Sequence, residues 1–161
     1  CSHVDLTVEH ERFMSAALDQ ARAAMVKDEV PVGAVVVVAG SIVGAGFNQS
    51  RLTSDPTAHA EIVALRQAGL TMSNYRLSSA TLYVTVEPCL MCAGALVHAR
   101  ISTLVYGTVE PKTGAVVSTI RALDGPALNH RVRSIGGILE NESRALIQEF
   151  FKGRRNNEGS D

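Results

Sequence analysis

Two short segments constrain this chain more than anything else in it: His59-Ala60-Glu61 and, downstream, Pro88-Cys89-Leu90-Met91-Cys92. Cysteines three apart at the start of a helix can turn both sulfurs to one face of the first turn and grip one ion. That turn also carries unpaired N–H groups and the positive end of the helix dipole, which favour the thiolate. A histidine in the first turn of the preceding helix can share the ion, provided both helices aim their N-termini at one point. Parallel crossover packing allows this, and it is the packing that a strand, helix, strand order implies.

Hydrophobic periodicity places the surrounding elements. From Thr7 to about Asp28, Met14, Leu18, Ala21 and Met25 recur at the spacing of an amphipathic helix. Val32 to Ala39 is a β-branched run, broken at Gly40 and resumed by Ser41-Ile42-Val43-Gly44, which reads as a hairpin. Asp55-Pro56-Thr57 is a turn offering Thr57 as N-cap to a helix through Ile62 and Leu65 that stops at Gly69. Thr81 to Val86 is strand-like, Pro88 begins a helix reaching about Ala99, and a strand spans about Thr103 to Gly107. Glu110 to Arg131 reads as loops with one short helix. Val132 to Ile138 is expected as a last strand and Glu140 to Arg155 as a final helix, with Leu146, Ile147, Phe150 and Phe151 on its inner stripe and a frayed end from Asn156. The sum is an α/β chain with a five-stranded mixed sheet covered by helices on both faces.

The 161 residues suffice for one domain, expected to be ordered over about residues 7–155. No apolar run is long enough for a membrane helix and no signal-peptide pattern opens the chain, so the expectation is a cytoplasmic protein without a membrane partner. Three cysteines, two of them three apart, suit metal ligation better than disulfides. Cys1 receives no role. Net charge is −1, yet residues 1–99 hold six Lys or Arg against nine Asp or Glu, whereas residues 100–155 hold nine against five. Any surface for an anionic polymer is therefore to be sought in the C-terminal third.

A lone Cys-x-x-Cys also suits a structural zinc pair or a redox pair, and a lone histidine can be a simple cap. A structural zinc site needs four protein ligands, and none of His3, His10, His98 or His130 stands in ligand spacing. Three ligands with an open position is the catalytic pattern, and thiolates with imidazole favour zinc. Glu61 supplies a carboxylate beside that position to take up and deliver a proton. Its bland alternative is a first-turn glutamate favoured by the helix dipole.

At these residues the chain resembles the cytidine deaminase superfamily. The segments Val30-Pro31-Val32-Gly33-Ala34, Asp55-Pro56-Thr57-Ala58-His59-Ala60-Glu61, Asn74-Tyr75-Arg76-Leu77, Lys112-Thr113-Gly114, Asn129-His130-Arg131-Val132 and Phe150-Phe151 look like the bacterial tRNA-specific adenosine deaminases, over about residues 8–155. The resemblance implies a three-layer α/β/α fold of the cytidine deaminase type and one zinc per subunit, held by His59, Cys89 and Cys92. It implies hydrolysis of the wobble adenosine of an arginine tRNA to inosine by a homodimer. Glu61 would protonate N1 of the base and carry a proton to the departing amine. Val30, Asn48, the Ala60 backbone and Pro88 would hold the flipped base, the amide of Asn48 being able to donate and accept. Glu110 and Lys112 would meet the anticodon stem-loop, with Phe151, Arg154 and Arg155 offering a stacking face and phosphate partners. The family commonly has Asp where this chain has Glu110, one methylene longer. Met91, Leu96 and Val97 are candidates for the dimer interface.

Two rivals stand beside this reading. One keeps the chemistry and changes the substrate to a free base or nucleoside such as guanine, cytosine or cytidine. The other is a non-catalytic, zinc-stabilised RNA-binding module.

Overall fold

A computed structural model describes residues 3–159, and the side chains of residues 7–154. In chain order the elements are α1 (His3–Val26), β1 (Gly33–Val38), β2 (Ser41–Phe47), α2 (Ser50–Thr53), α3 (Ala60–Met72), β3 (Thr81–Val86), α4 (Leu90–His98), β4 (Thr103–Thr108), β5 (Arg133–Ile135) and α5 (Glu140–Gly159). The five strands form one sheet in the order β2-β1-β3-β4-β5. β1 is antiparallel to both β2 and β3, while β3, β4 and β5 run parallel. This is the expected mixed sheet, with α4 making the β3-to-β4 crossover.

Alternation along the strands divides the core into two layers. Val35 and Val37 of β1, Tyr83 of β3 and Val105 of β4 pack with Phe13, Met14 and Ala17 of α1. Ala34, Val36, Leu82, Val84 and Leu104 pack on the opposite face with Ala60, Ala64 and Ala68 of α3 and Ala93 and Leu96 of α4. Strands buried on both faces must be apolar at every position, which is why β1 and β3 read as continuous rather than alternating runs. Met14, Leu82, Leu96 and Leu104 are fully buried, each contributing about 1.5–3 kcal/mol of hydrophobic burial.

Small residues set how closely α3 approaches the sheet. A Cβ at Gly44 would lie 2.4 Å from the Ala64 carbonyl oxygen, and one at Gly46 would lie 2.7 Å from Val63 Cβ. The hairpin itself turns on Ala39 and Gly40, both with positive φ (51° and 78°), the backbone that two-residue β-hairpin turns favour.

Several boundaries differ from the sequence expectation. α3 runs past Gly69 to Met72, because Ser73 adopts the left-handed conformation and returns its N–H to the Gly69 carbonyl. Its N-cap is His59, not Thr57, whose N–H and hydroxyl both donate to Asp55 Oδ1 (2.9 and 2.7 Å). β5 is only three residues long; Gly137 (φ 86°) turns the chain away and sends its N–H to Gly107. The expected short helix within residues 110–131 is absent, and turns fill that stretch. Conversely, α2 was not foreseen: four mostly polar residues carry no periodicity. Backbone helix also continues through residues 156–159, where fraying is expected. Cys1 lies outside the described residues.

Candidate active site

The N-termini of α3 and α4 converge where the sheet ends of β1 and β3 meet them. His59 is the N-cap of α3 and Cys89 the N-cap of α4, both with extended backbone and neither capping with its own side chain. Their side chains are thus free to turn inward. His59 Nδ1 lies 3.6 Å from both Cys89 Sγ and Cys92 Sγ. The donor atoms of these three residues fall within 4.8 Å of one another, the sole group of three His, Cys, Asp or Glu ligands so placed among the described residues. Two other histidines are engaged elsewhere: His10 shares a hydrogen bond with the Tyr83 hydroxyl (2.8 Å), and His130 Nε2 meets the Ile101 carbonyl (2.7 Å), while His98 is exposed at the end of α4.

The electrostatics follow from crowding. A hydrogen bond from Cys92, with a further one from His59, pulls the Cys89 thiol down to about 4 despite its partial burial. Cys92 is pushed up by the same bond with Cys89 and by its own burial. His59 is raised, chiefly by its hydrogen bond with Cys89. One shared negative charge on the sulfurs beside a protonatable imidazole is what a cation binding here would displace or exploit. These three residues could hold a metal ion.

Glu61 sits in the second position of α3, 4% exposed, and burial raises its carboxyl to about 7. It borders a cavity of about 260 Å³ whose wall also includes Val30, Val32, Asn48, His59, Ala60 and Cys89. Residues two apart on a helix do not share a face. His59 and Glu61 reach one site because His59 precedes the helix proper.

The cavity gathers most of the residues singled out in the sequence. Val30, Asn48, Ala60, Glu110 and Phe151 line it. Pro88, buried, and Lys112, exposed, are not among the residues that line it. Phe151 is 43% exposed and departs from the inner stripe expected of it, whereas Phe150, edge-on to it at 5.3 Å, is buried. Asn48 Oδ1 accepts from both the N–H and the hydroxyl of Ser50 (3.3 and 3.0 Å). Its acceptor is therefore spent, and the amide NH₂ is the group left for a ligand. Arg154 lies off the cavity, donating to Asp28 Oδ2 (3.2 Å) and stacking over Phe150 at 4.9 Å. The Arg155 side chain lies outside the described residues.

Glu87, Thr113, Val32, Val86 and Ile147, none assigned a site role from the sequence, also line the cavity. Glu87 carried a signal: a carboxylate directly before the Cys-x-x-Cys segment, at the end of an otherwise apolar strand. In the interface set, Leu96 is fully buried core, while Met91 is exposed and Val97 half-buried.

Among known proteins, the profile of the MafB19-like deaminase family matches residues 8–155. A tRNA-specific adenosine deaminase of Haemophilus influenzae is 47% identical over 146 residues, 90% of this chain and 84% of that protein. One of Aquifex aeolicus is 44% identical over 147 residues, covering 91% and 97%. A structure from studies of A-to-I editing by tRNA:A34 deaminases at the wobble position superimposes with a TM-score of 0.82 at 44% identity, over 84% of this chain and 98% of that one. A guanine deaminase from Nitrosomonas europaea superimposes at 0.76 with 25% identity, over 87% and 83%.

Proposed function

This chain belongs to the MafB19-like deaminase family and to the tRNA-specific adenosine deaminases, and from that premise we propose that it hydrolyses adenosine to inosine at the wobble position of a tRNA anticodon. The observation that carries the reading is the buried carboxyl of Glu61 in one cavity wall with His59 and Cys89. We infer further that the ion is zinc, one per subunit. Tetrahedral zinc, with Zn–N of about 2.0–2.1 Å and Zn–S of about 2.3 Å, separates nitrogen from sulfur by about 3.5 Å. The 3.6 Å spacings about His59 Nδ1 fit that edge. Two sulfurs and an imidazole are also the donor set that selects zinc over harder cations. Bound there, zinc supplies activation of a water nucleophile near neutral pH.

The protein's own groups do the rest. Burial poises the Glu61 carboxyl near the working pH, where it can accept the proton of the attacking water, protonate N1 of adenine, and deliver a proton to the leaving amine. Val30, Val32, Val86, Ile147 and Phe151 give the cavity apolar walls, and its volume, near the lower end of the ~300–1,000 Å³ of small-molecule sites, suits a single base. A base entering it must leave the anticodon stack, as base-modifying enzymes require. The Asn48 amide NH₂ and the Ala60 backbone, both in the cavity wall, would be the groups that read it.

Glu110 and the half-exposed ring of Phe151 in the cavity wall, with exposed Lys112, are the groups offered to the anticodon stem-loop, Phe151 as a stacking face. Arg154 would reach a phosphate only by leaving Asp28; Arg155 follows it on the same helix. We propose an arginine tRNA as substrate, a single deaminase domain over about residues 7–155, a cytoplasmic location, and a homodimer. Leu90 and Met91, exposed on α4, support the dimer as apolar surface that a second copy would cover.

The test is a competition between an anticodon stem-loop with adenosine at the wobble position and free guanine or cytidine. Inosine formation in the stem-loop is expected; faster turnover of the free base or nucleoside would replace this substrate assignment.

A further inference from the structure

We propose that Glu87 is a positioning residue for the substrate pocket, its buried carboxylate acting as the anchor of the 110–118 loop; the proposal rests on the deaminase reading above. Glu87 follows β3 and directly precedes Pro88-Cys89, and it is 4% exposed. No Lys or Arg among the described residues forms an ion pair with it. Instead, Oε1 accepts from the Glu110 N–H at 3.0 Å and from the Ser118 hydroxyl. Oε2 accepts from the N–H groups of Val116, Val117 and Ser118 at 3.0, 2.8 and 3.0 Å. Five donors on one carboxylate, three from consecutive backbone amides, form an anion nest folded around a side chain of the protein itself. These bonds hold the Glu87 carboxyl below the usual carboxylate range against its burial.

The loop closes on Glu87 from every side available to it. Gly114 passes so near that a Cβ there would lie 2.4 Å from the Glu87 carboxyl carbon. The Ala115 N–H donates to the Pro88 carbonyl at 2.8 Å, and the Glu87 N–H donates to the Thr108 carbonyl at 2.9 Å. Residues 110–118 contain no helix or strand; Ala115 and Val116 are buried, and the Glu87 carboxylate collects the bonds that tie residues 110 and 116–118 to the end of β3. Yet Glu110 and Thr113 of this loop form part of the cavity wall. The ligands and Glu61, by contrast, stand on α3 and α4. The carboxylate therefore governs where the wall stands without governing the chemistry, and it does so from the residue next to the Cys-x-x-Cys segment. Strand, ligand segment and substrate wall share a single fixed point.

The variant Glu87→Gln keeps one acceptor oxygen and sets an NH₂ against amide donors that need acceptors, leaving buried N–H groups without partners. Measured on the zinc-loaded protein with a wobble-adenosine stem-loop, it should raise KM at least tenfold and leave kcat within about threefold, the pattern of lost uniform binding. Zinc content should stay at that of the unmodified protein. Amide exchange of residues 116–118 should quicken at least tenfold. Should Glu87→Gln fail to fold, Gly114→Ala tests the same contact from the loop side with Glu87 intact, and the same split of KM from kcat is expected. Unchanged KM with unchanged exchange would overturn the proposal, and so would a fall in kcat accompanied by loss of zinc, which would place the role of Glu87 on Cys89. Failure of the underlying deaminase reading is separable, since it would show as absence of inosine with the unmodified protein.

Discussion

Replacing Gly44 by alanine tests whether packing at β2 governs a metal site that it does not touch. A Cβ there would lie 2.4 Å from the Ala64 carbonyl oxygen, 2.8 Å from Ala68 N and 2.9 Å from Ala68 Cβ. Ordinary contact begins at 3.4 Å, so α3 must retreat by about 1 Å, because its backbone cannot compress. His59 is the N-cap of that helix and Glu61 its second residue, so both move with it. A 1 Å retreat would stretch the 3.6 Å spacings from His59 Nδ1 to the two sulfurs well past the tetrahedral edge of about 3.5 Å. Overpacking should cost about 1–3 kcal/mol of stability. Misplacement by 1 Å can cost about 10²-fold in rate, so kcat/KM should fall at least tenfold, with a comparable loss of zinc affinity. The assay pairs titration of zinc against a chromogenic chelator with stem-loop deamination. Gly153→Ala, in α5 with no heavy atom within 4 Å of the new Cβ, is the control; it should add roughly 0.5–1 kcal/mol of stability and leave both readouts alone. A Gly44→Ala protein that is less stable but binds zinc and turns over normally would refute the coupling of α3 packing to the site.

Two further outcomes follow from the same structure. Stripping zinc with a chelator should lower the unfolding temperature and restoring it should reverse the loss, since the ion ties α3 to α4; Cys92→Ser should reproduce the stripped state, and a chelator-insensitive midpoint would contradict it. Burial, with the charge of Glu9 adding to it, pushes the Tyr83 phenol up to about 12 from 10.0. The folded protein keeps that proton where the unfolded chain has lost it. The stability tied to it is thus full below pH 10 and drains as pH rises through 12. Urea midpoints compared between the unmodified protein and Tyr83→Phe should diverge over that window, and parallel curves would remove Tyr83 as the cause.

What the sequence showed and what it hid separate along physical lines. The apolar runs of β1 and β3 and the stripe of α1 announce their elements because burial dictates residue type at every position. The metal cluster was legible because His59, Glu61, Cys89 and Cys92 occur together with no fourth ligand in spacing, although each motif alone has other uses. The pocket was legible largely through family likeness, and the parts missed there, Val32, Val86 and Ile147, look like any core residue from sequence alone. The first part of the 110–131 stretch resisted reading because residues 110 and 116–118 are tied to one carboxylate distant in sequence, Glu87, and not ordered by periodicity. Long-range hydrogen bonds of that kind leave no local pattern. The same reason hides the tie between Arg154 and Asp28, which commits one cation of the basic end of the chain.

The central claim is that Glu61, beside a zinc ion held by His59, Cys89 and Cys92, moves the protons in deamination of a wobble adenosine. Its most direct test is a side-by-side measurement of zinc per chain and inosine yield on an anticodon stem-loop for the unmodified protein and Glu61→Gln. One zinc per chain in both is expected, with rapid inosine formation by the former and a rate lower by about 10²–10⁴-fold or more in the latter. Inosine formation at an undiminished rate by a zinc-loaded Glu61→Gln protein would contradict it.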